Sequence, residues 1–206
     1  MENKINYLFS SVDKKNGFTE KQALCLKNDI KNNSTITFIT SDFNSYEKND
    51  EFINMILVFF KKIDIEFKKI YTIDNRTNIS SLKTIIADSD VIYITGGNPQ
   101  RQIENINKFN LKKLLNNYNK IIIGVSAGAI NQANKVTYWD NEIITYEGLN
   151  LVNIHIYPHL DINNIDNLKE ILLVSKYQRI YALPDNSFIR IQNDNIEIYG
   201  DYYVLG

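Results

Sequence analysis

Gly124-Val125-Ser126-Ala127-Gly128 follows directly on Ile121-Ile122-Ile123, so a serine flanked by glycines closes a run of β-branched residues. A buried strand that ends in Gly-x-Ser-x-Gly and turns into a helix is the setting of a nucleophile elbow, where strained backbone exposes the serine hydroxyl. The small residues suit that geometry: Gly124 and Gly128 let neighbouring backbone pass close by, and Ala127 adds one methyl group. N–H groups at the start of the following helix would face the serine oxygen and favour negative charge there. A serine hydroxyl attacks a carbonyl only when a base takes its proton. The chain has two histidines, His155 and His159. Between Val152 and Tyr157 the apolar residues Val152, Ile154 and Ile156 alternate with Asn153, His155 and Tyr157, which puts His155 on the polar face of a strand. Pro158 ends that strand and moves His159 into the loop beyond, at the edge where the sites of open parallel sheets gather. His159 is therefore the expected base. A spacing of four would suit a zinc pair on a helix, but Pro158 forbids the helix and no third ligand stands out, so no metal is expected. The base needs an orienting carboxylate. Asp140 in Trp139-Asp140-Asn141 and Asp185 in Leu183-Pro184-Asp185-Asn186 are both candidates, whereas Asp161 shares the loop of His159 and reads as solvated.

These residues need elements to position them. Ile5 to Ser10, Thr35 to Thr40, Phe67 to Ile73, Val91 to Thr95 and the elbow strand read as strands, separated by helical segments. Thr19 with Gln22 resembles a capping box. Phe52, Met55, Ile56, Phe59, Phe60 and Ile63 form a continuous apolar helix stripe, a core face. Ser80 to Ala87 is a short helix. Asn98 and Pro99 open another, whose apolar positions Ile103, Ile106, Leu111, Leu114 and Leu115 run on toward the elbow. Gly96-Gly97 lacks the spacing of a dinucleotide fingerprint, yet two glycines at a strand end can present bare N–H groups to a ligand. Beyond the elbow, 142–146, 149–157, 179–183, 187–192 and 196–199 read as strands, 163–175 as a helix and Asn193-Asp194-Asn195 as a hairpin turn. The pattern predicts an α/β fold, a mostly parallel, doubly wound sheet with an antiparallel C-terminal addition, in one domain over 1–206.

Composition excludes several classes. The 206 residues are 44% hydrophobic and 23% charged, with 23 basic and 24 acidic side chains and no basic stripe, which argues against a nucleic-acid partner. No apolar run approaches membrane-spanning length, the first residues lack a signal region, and the single cysteine, Cys25, reads as a small core residue. A cytoplasmic protein, monomer or homodimer, is expected.

Tyr93-Ile94-Thr95-Gly96-Gly97-Asn98, Gly124-Val125-Ser126-Ala127-Gly128-Ala129, Tyr157-Pro158-His159 and Leu183-Pro184-Asp185 occur in the order seen in the peptidase E family, and the chain resembles that family over nearly its whole length. The family comprises aspartyl dipeptidases, serine hydrolases related to cyanophycinase and, more distantly, to class I glutamine amidotransferases. The resemblance implies a three-layer αβα sandwich, small peptide substrates and no cofactor. Ser126 would be the nucleophile and His159 the base, with the N–H groups of Gly97 and Ala127 as oxyanion hole and Asn98 as a substrate contact. The family's third member has been placed between serine and histidine, matching Asp140, and also after the histidine, where glutamate is usual and this chain has the shorter Asp185. Asp140 is preferred on this ground. The arginine-bearing stretch that holds an acidic substrate side chain in the family is here Asp161 to Glu170, with Lys169 as its one cation, so a preference for N-terminal aspartate is not expected. The rival readings are an amidotransferase-like amidase, which would need cysteine at the elbow, and a catalytically idle binding or assembly protein of the same fold.

Overall fold

Ile121, Ile123 and Val125 enter one hydrophobic cluster while Ile122 enters another on the opposite side, so helices must cover both faces of their strand. The computed structural model, which describes residues 4–193 and 195–206, satisfies this with a regular alternation. The elements are β1 (Ile5–Phe9), α1 (Glu20–Asp29), β2 (Ser34–Ile39), α2 (Tyr46–Lys62), β3 (Phe67–Ile73), α3 (Leu82–Asp88), β4 (Val91–Ile94), α4 (Pro99–Lys108), α5 (Leu111–Asn116) and β5 (Ile121–Val125). The remainder adds α6 (Ala127–Ile130), β6 (Lys135–Trp139), β7 (Ile143–Glu147), β8 (Ile156–Tyr157), α7 (Ile165–Val174), β9 (Ile180–Ala182), β10 (Phe188–Gln192), β11 (Asn195–Tyr199) and β12 (Tyr203–Leu205).

The main sheet has the order β11-β10-β1-β5-β4-β2-β3. The strands from β1 to β3 are parallel, and β10 and β11 extend the β1 edge in antiparallel fashion. On one face Tyr7, Phe9, Phe38, Tyr93 and Ile123 pack against Leu26 of α1 and Ile56, Phe59 and Phe60 of α2. On the other, Ile39, Ile92, Ile94 and Ile122 pack against α3, α4 and α5. The stripe read on α2 is this core face, and Thr19 and Gln22 form the capping box at α1. No helix among the described residues is long and apolar enough to cross a membrane.

The structure departs from the sequence reading in several places, among them the added strand β12. The helix opening at Asn98 is broken, because Asn110 takes a left-handed conformation (φ 54°) that ends α4 and starts α5. The strand read over 149–157 shrinks to β8, because the N–H groups of residues 149–152 bond the carbonyls of Asn131, Gln132 and Ala133 instead of a sheet neighbour, with Asn150 at φ 58°. The antiparallel β6–β7 hairpin takes in residues 135–139, a β-branched and aromatic run that the sequence reading leaves unassigned. Of the hairpin turn read at 193–195, Asp194 lies outside the described residues.

Candidate active site

Ser126 follows the last residue of β5 with φ 50° and ψ −112°, a conformation that costs energy for any L-residue. Its N–H donates to the Phe9 carbonyl on the neighbouring strand at 2.9 Å, and its own carbonyl accepts from Ala129 and Ile130. The glycines are demanded by packing on either side of this turn. A Cβ at Gly124 would lie 2.3 Å from the Gly128 carbonyl oxygen, and one at Gly128 would lie 2.2 Å from that of Ile94. The turn is wedged further by Gln132, which is fully buried, donates to the Tyr7 carbonyl at 2.9 Å and accepts from Asn6 at 2.7 Å. α6 itself is a single turn, shorter than the elbow helix the sequence suggests.

The parallel pairing of β8 with β9, Tyr157 opposite Ala182, lays Pro158-His159 beside Pro184-Asp185. The His159 ring then spans two partners. Its Nε2 is 2.9 Å from Ser126 Oγ, and its Nδ1 is 2.7 Å from Asp185 Oδ1. His159 is half exposed and Asp185 more so, so the histidine and the carboxylate are open to solvent at the C-terminal edge of the sheet. With a carboxylate on Nδ1, the tautomer that leaves a lone pair on Nε2 toward the serine hydroxyl is favoured, which is what deprotonation of that hydroxyl requires.

Asp140 is elsewhere. It lies exposed in the turn between β6 and β7, its N–H donating to the Glu142 carbonyl at 3.0 Å, and among the described residues it has no hydrogen bond to His159. The carboxylate against the ring is therefore that of Asp185 and not the preferred Asp140: the hydrogen-bonded order along the chain is serine, histidine, acid, and the aspartate side chain is long enough to reach the ring. His155 is half-buried and makes no hydrogen bond to Ser126 among the described residues, and burial pushes its imidazole below the usual range. Asp161 caps its own turn by accepting from the Asn163 N–H, and Lys169 pairs with Asp166 at 3.0 Å.

Gly96 and Gly97 follow the end of β4, with Gly96 close to Ser126. A Cβ on Gly96 would be in ordinary contact with Ser126, 3.5 Å from its Cβ, while Gly97, at φ 140°, sits against Ser41 with no room for a side chain. The N–H groups of Gly97 and Ala127 have no hydrogen-bond partner among the described residues. Asn98 spends its side-chain oxygen on capping α4, accepting from the Arg101 N–H at 2.8 Å. A cavity of about 210 Å³ opens beside the two glycines, lined by Ser41, Asp42, Lys48, Phe52 and Arg101 among others, with Arg101 held to Asp42 at 2.7 Å. Two contributors carried no signal in the sequence reading, Ser10 and Gln132, because each acts on segments far away in the chain.

Comparison with known proteins places this geometry in context. The family model described as peptidase family S51 matches residues 8–199. A peptidase E from Haemophilus influenzae (strain PittGG) is 29% identical over 139 residues, a stretch that spans 60% of this chain and 59% of the relative. A crystal structure of a Listeria monocytogenes EGD-e protein named for peptidase E superposes with a TM-score of 0.73 at 20% identity, covering 96% of this chain and 98% of that one. A peptidase from an acI-B1 Actinobacterium superposes with a TM-score of 0.73 at 17% identity, covering 98% of this chain and 91% of its own. At these identities the two structures show a shared α/β fold.

Proposed function

Since the chain belongs to peptidase family S51, we propose that it is a serine peptidase acting on small peptides through Ser126, His159 and Asp185. One observation carries the reading: the imidazole of His159 joins Ser126 Oγ at 2.9 Å and Asp185 Oδ1 at 2.7 Å, with the serine on a strained turn at φ 50°. Ser126 Oγ attacks the scissile carbonyl as His159 Nε2 takes its proton, and Asp185 stabilises the imidazolium and fixes its orientation. The N–H groups of Gly97 and Ala127 hold the oxyanion of the tetrahedral intermediate. His159 returns the proton to the leaving amine, and the acyl-enzyme on Ser126 is hydrolysed by a water that His159 deprotonates in turn. The cavity beside Gly97 receives the substrate's flanking residue. With Lys169 already paired and Arg101 held by Asp42, a strong preference for N-terminal aspartate is not expected.

A fluorophosphonate probe tests this directly. It should modify one serine, Ser126, and Ser126→Ala should abolish both labelling and peptide turnover, a loss of roughly 10⁶-fold, with circular dichroism unchanged. Turnover above a tenth of the wild-type value in that variant would refute the mechanism. Absence of labelling in the wild-type protein would favour the catalytically idle reading.

A further inference from the structure

Each of the three hydrogen-bonded residues stands on, or beside, backbone in the left-handed region: φ is 50° at Ser126, 59° at His159 and 68° at Asn186, next to Asp185. Non-glycine residues keep such conformations only where their surroundings over-determine them. The end of β1 supplies an anchor to every one. The Phe9 carbonyl accepts from the Ser126 N–H, Ser10 Oγ accepts from the His159 N–H, and Ser11 Oγ accepts from the Asn186 N–H, each at 2.9 Å. Three consecutive residues thus hold three segments that lie far apart in the sequence.

Ser10 is the centre of this arrangement. It is fully buried, its hydroxyl donates to the Leu183 carbonyl at 3.0 Å, and its N–H donates to the Ser187 carbonyl at 3.0 Å. One hydroxyl therefore joins the turn that carries the histidine to the strand end that carries the aspartate. Without it, the Leu183 carbonyl keeps a donor, the Leu160 N–H at 3.0 Å, but the His159 N–H loses its acceptor. The His159 backbone would then be free to leave its left-handed conformation and swing the ring.

We propose that Ser10 is a positioning residue, which fixes His159 between Ser126 and Asp185 through the backbone N–H; this rests on the triad reading above. Ser10 does not touch substrate, so its loss should slow the chemistry and leave binding nearly intact. A displacement of the ring by about 1 Å is enough to lower the rate on the order of 10²-fold.

The test measures the rate of fluorophosphonate labelling, and kcat and KM for a small peptide or p-nitrophenyl acetate, on the full chain. Ser10→Ala and the near-isosteric Ser10→Cys should lower kcat and the labelling rate by about 10- to 100-fold with KM within about threefold. Ser10→Thr, which keeps the hydroxyl, should restore most of the rate. In a His159→Ala background, Ser10→Ala should cost nothing further, because the residue acts through the ring. An unchanged rate in Ser10→Ala, with labelling lost in Ser126→Ala, would overturn the positioning role alone. An equal loss with and without His159 would also overturn it, since that is what a purely structural serine would give. If Ser10→Ala does not fold, equal rates for Ser10→Cys and Ser10→Thr overturn the proposal. Labelling that survives Ser126→Ala would bring down the triad reading, and this role with it.

Discussion

Gly128 is where the elbow touches the sheet, and replacing it by alanine tests the geometry more sharply than removing a reacting group does. The added methyl carbon would stand 2.2 Å from the Ile94 carbonyl oxygen and 2.9 Å from that of Thr95. Such contacts do not fall below 3.0 Å, so the elbow and β4 must separate by about 0.8 Å. β4 cannot give way, because Ile94 is paired with Ile39 of β2 on one side and Gly124 of β5 on the other. The displacement therefore falls on α6 and on Ser126, two residues earlier. The contact from Ser126 Oγ to His159 Nε2 is 2.9 Å. Moving the serine by most of the required distance opens it to about 3.5 Å, where the hydrogen bond is lost.

The expected cost is about 10²-fold in kcat and about 1–3 kcal/mol in stability, within the 5–15 kcal/mol typical of a folded domain. The variant should stay folded and be slow. Turnover and fluorophosphonate labelling, both measured well below the thermal midpoint, separate the two effects. Gly96→Ala is the control for stability, since its methyl would make ordinary contacts at 3.5 Å and its φ is unstrained, so its thermal midpoint should match wild type. Full activity in Gly128→Ala would refute the reasoning, because it would mean that the serine can move by this much without consequence.

Other outcomes follow from named contacts. Asp185→Asn should lower kcat by at least ~10²-fold, short of the ~10⁴ of a buried triad acid because this carboxylate is exposed, while Asp140→Asn should leave kcat nearly unchanged; the reverse result would restore the serine–acid–histidine order. Tyr93→Phe should raise stability by about 1 kcal/mol with activity retained, because the fully buried Tyr93 hydroxyl has no hydrogen-bond partner among the described residues; a lowered thermal midpoint would contradict this. Asp90 is opposed by burial but held below the usual carboxylate range by the Thr35 N–H at 2.9 Å and the Lys120 ammonium at 3.0 Å. Its folded pKa is depressed, so its contribution is present above the unfolded carboxylate value and is lost as pH falls through the folded one. Thermal midpoints measured down the acid limb should fall less steeply in Asp90→Asn, and parallel curves would refute the assignment.

How much of this was legible in the sequence depends on how far apart the deciding residues lie. The elbow is local: three isoleucines, two glycines and a serine within eight positions fix a buried strand, a sharp turn and the start of a helix, and the φ of 50° at Ser126 is the backbone those residue types permit. The α2 stripe is local too, and the helix it predicts packs as a core face. The break at Asn110 was not legible, because the apolar period runs through it and only the left-handed conformation of one asparagine divides the helix. The acid was not legible for a stronger reason. Asp140 and Asp185 both lie in short polar turns, and nothing within ten residues of either says which carboxylate meets the histidine. What separates them is the pairing of β8 with β9, which rests on two residue pairs, Ile156 with Tyr181 and Tyr157 with Ala182. A two-residue strand has no periodicity to read, yet this one sets the 2.7 Å contact between His159 and Asp185. The same argument extends to Ser10. In the sequence it is one serine at the end of the first strand, and its meaning comes from β1 lying between β5 and β10. That position puts the end of β1 within reach of the elbow on one side and the histidine and aspartate turns on the other. The residues proposed to react can be picked out by type; those that hold them are recognised only once the strands are in order.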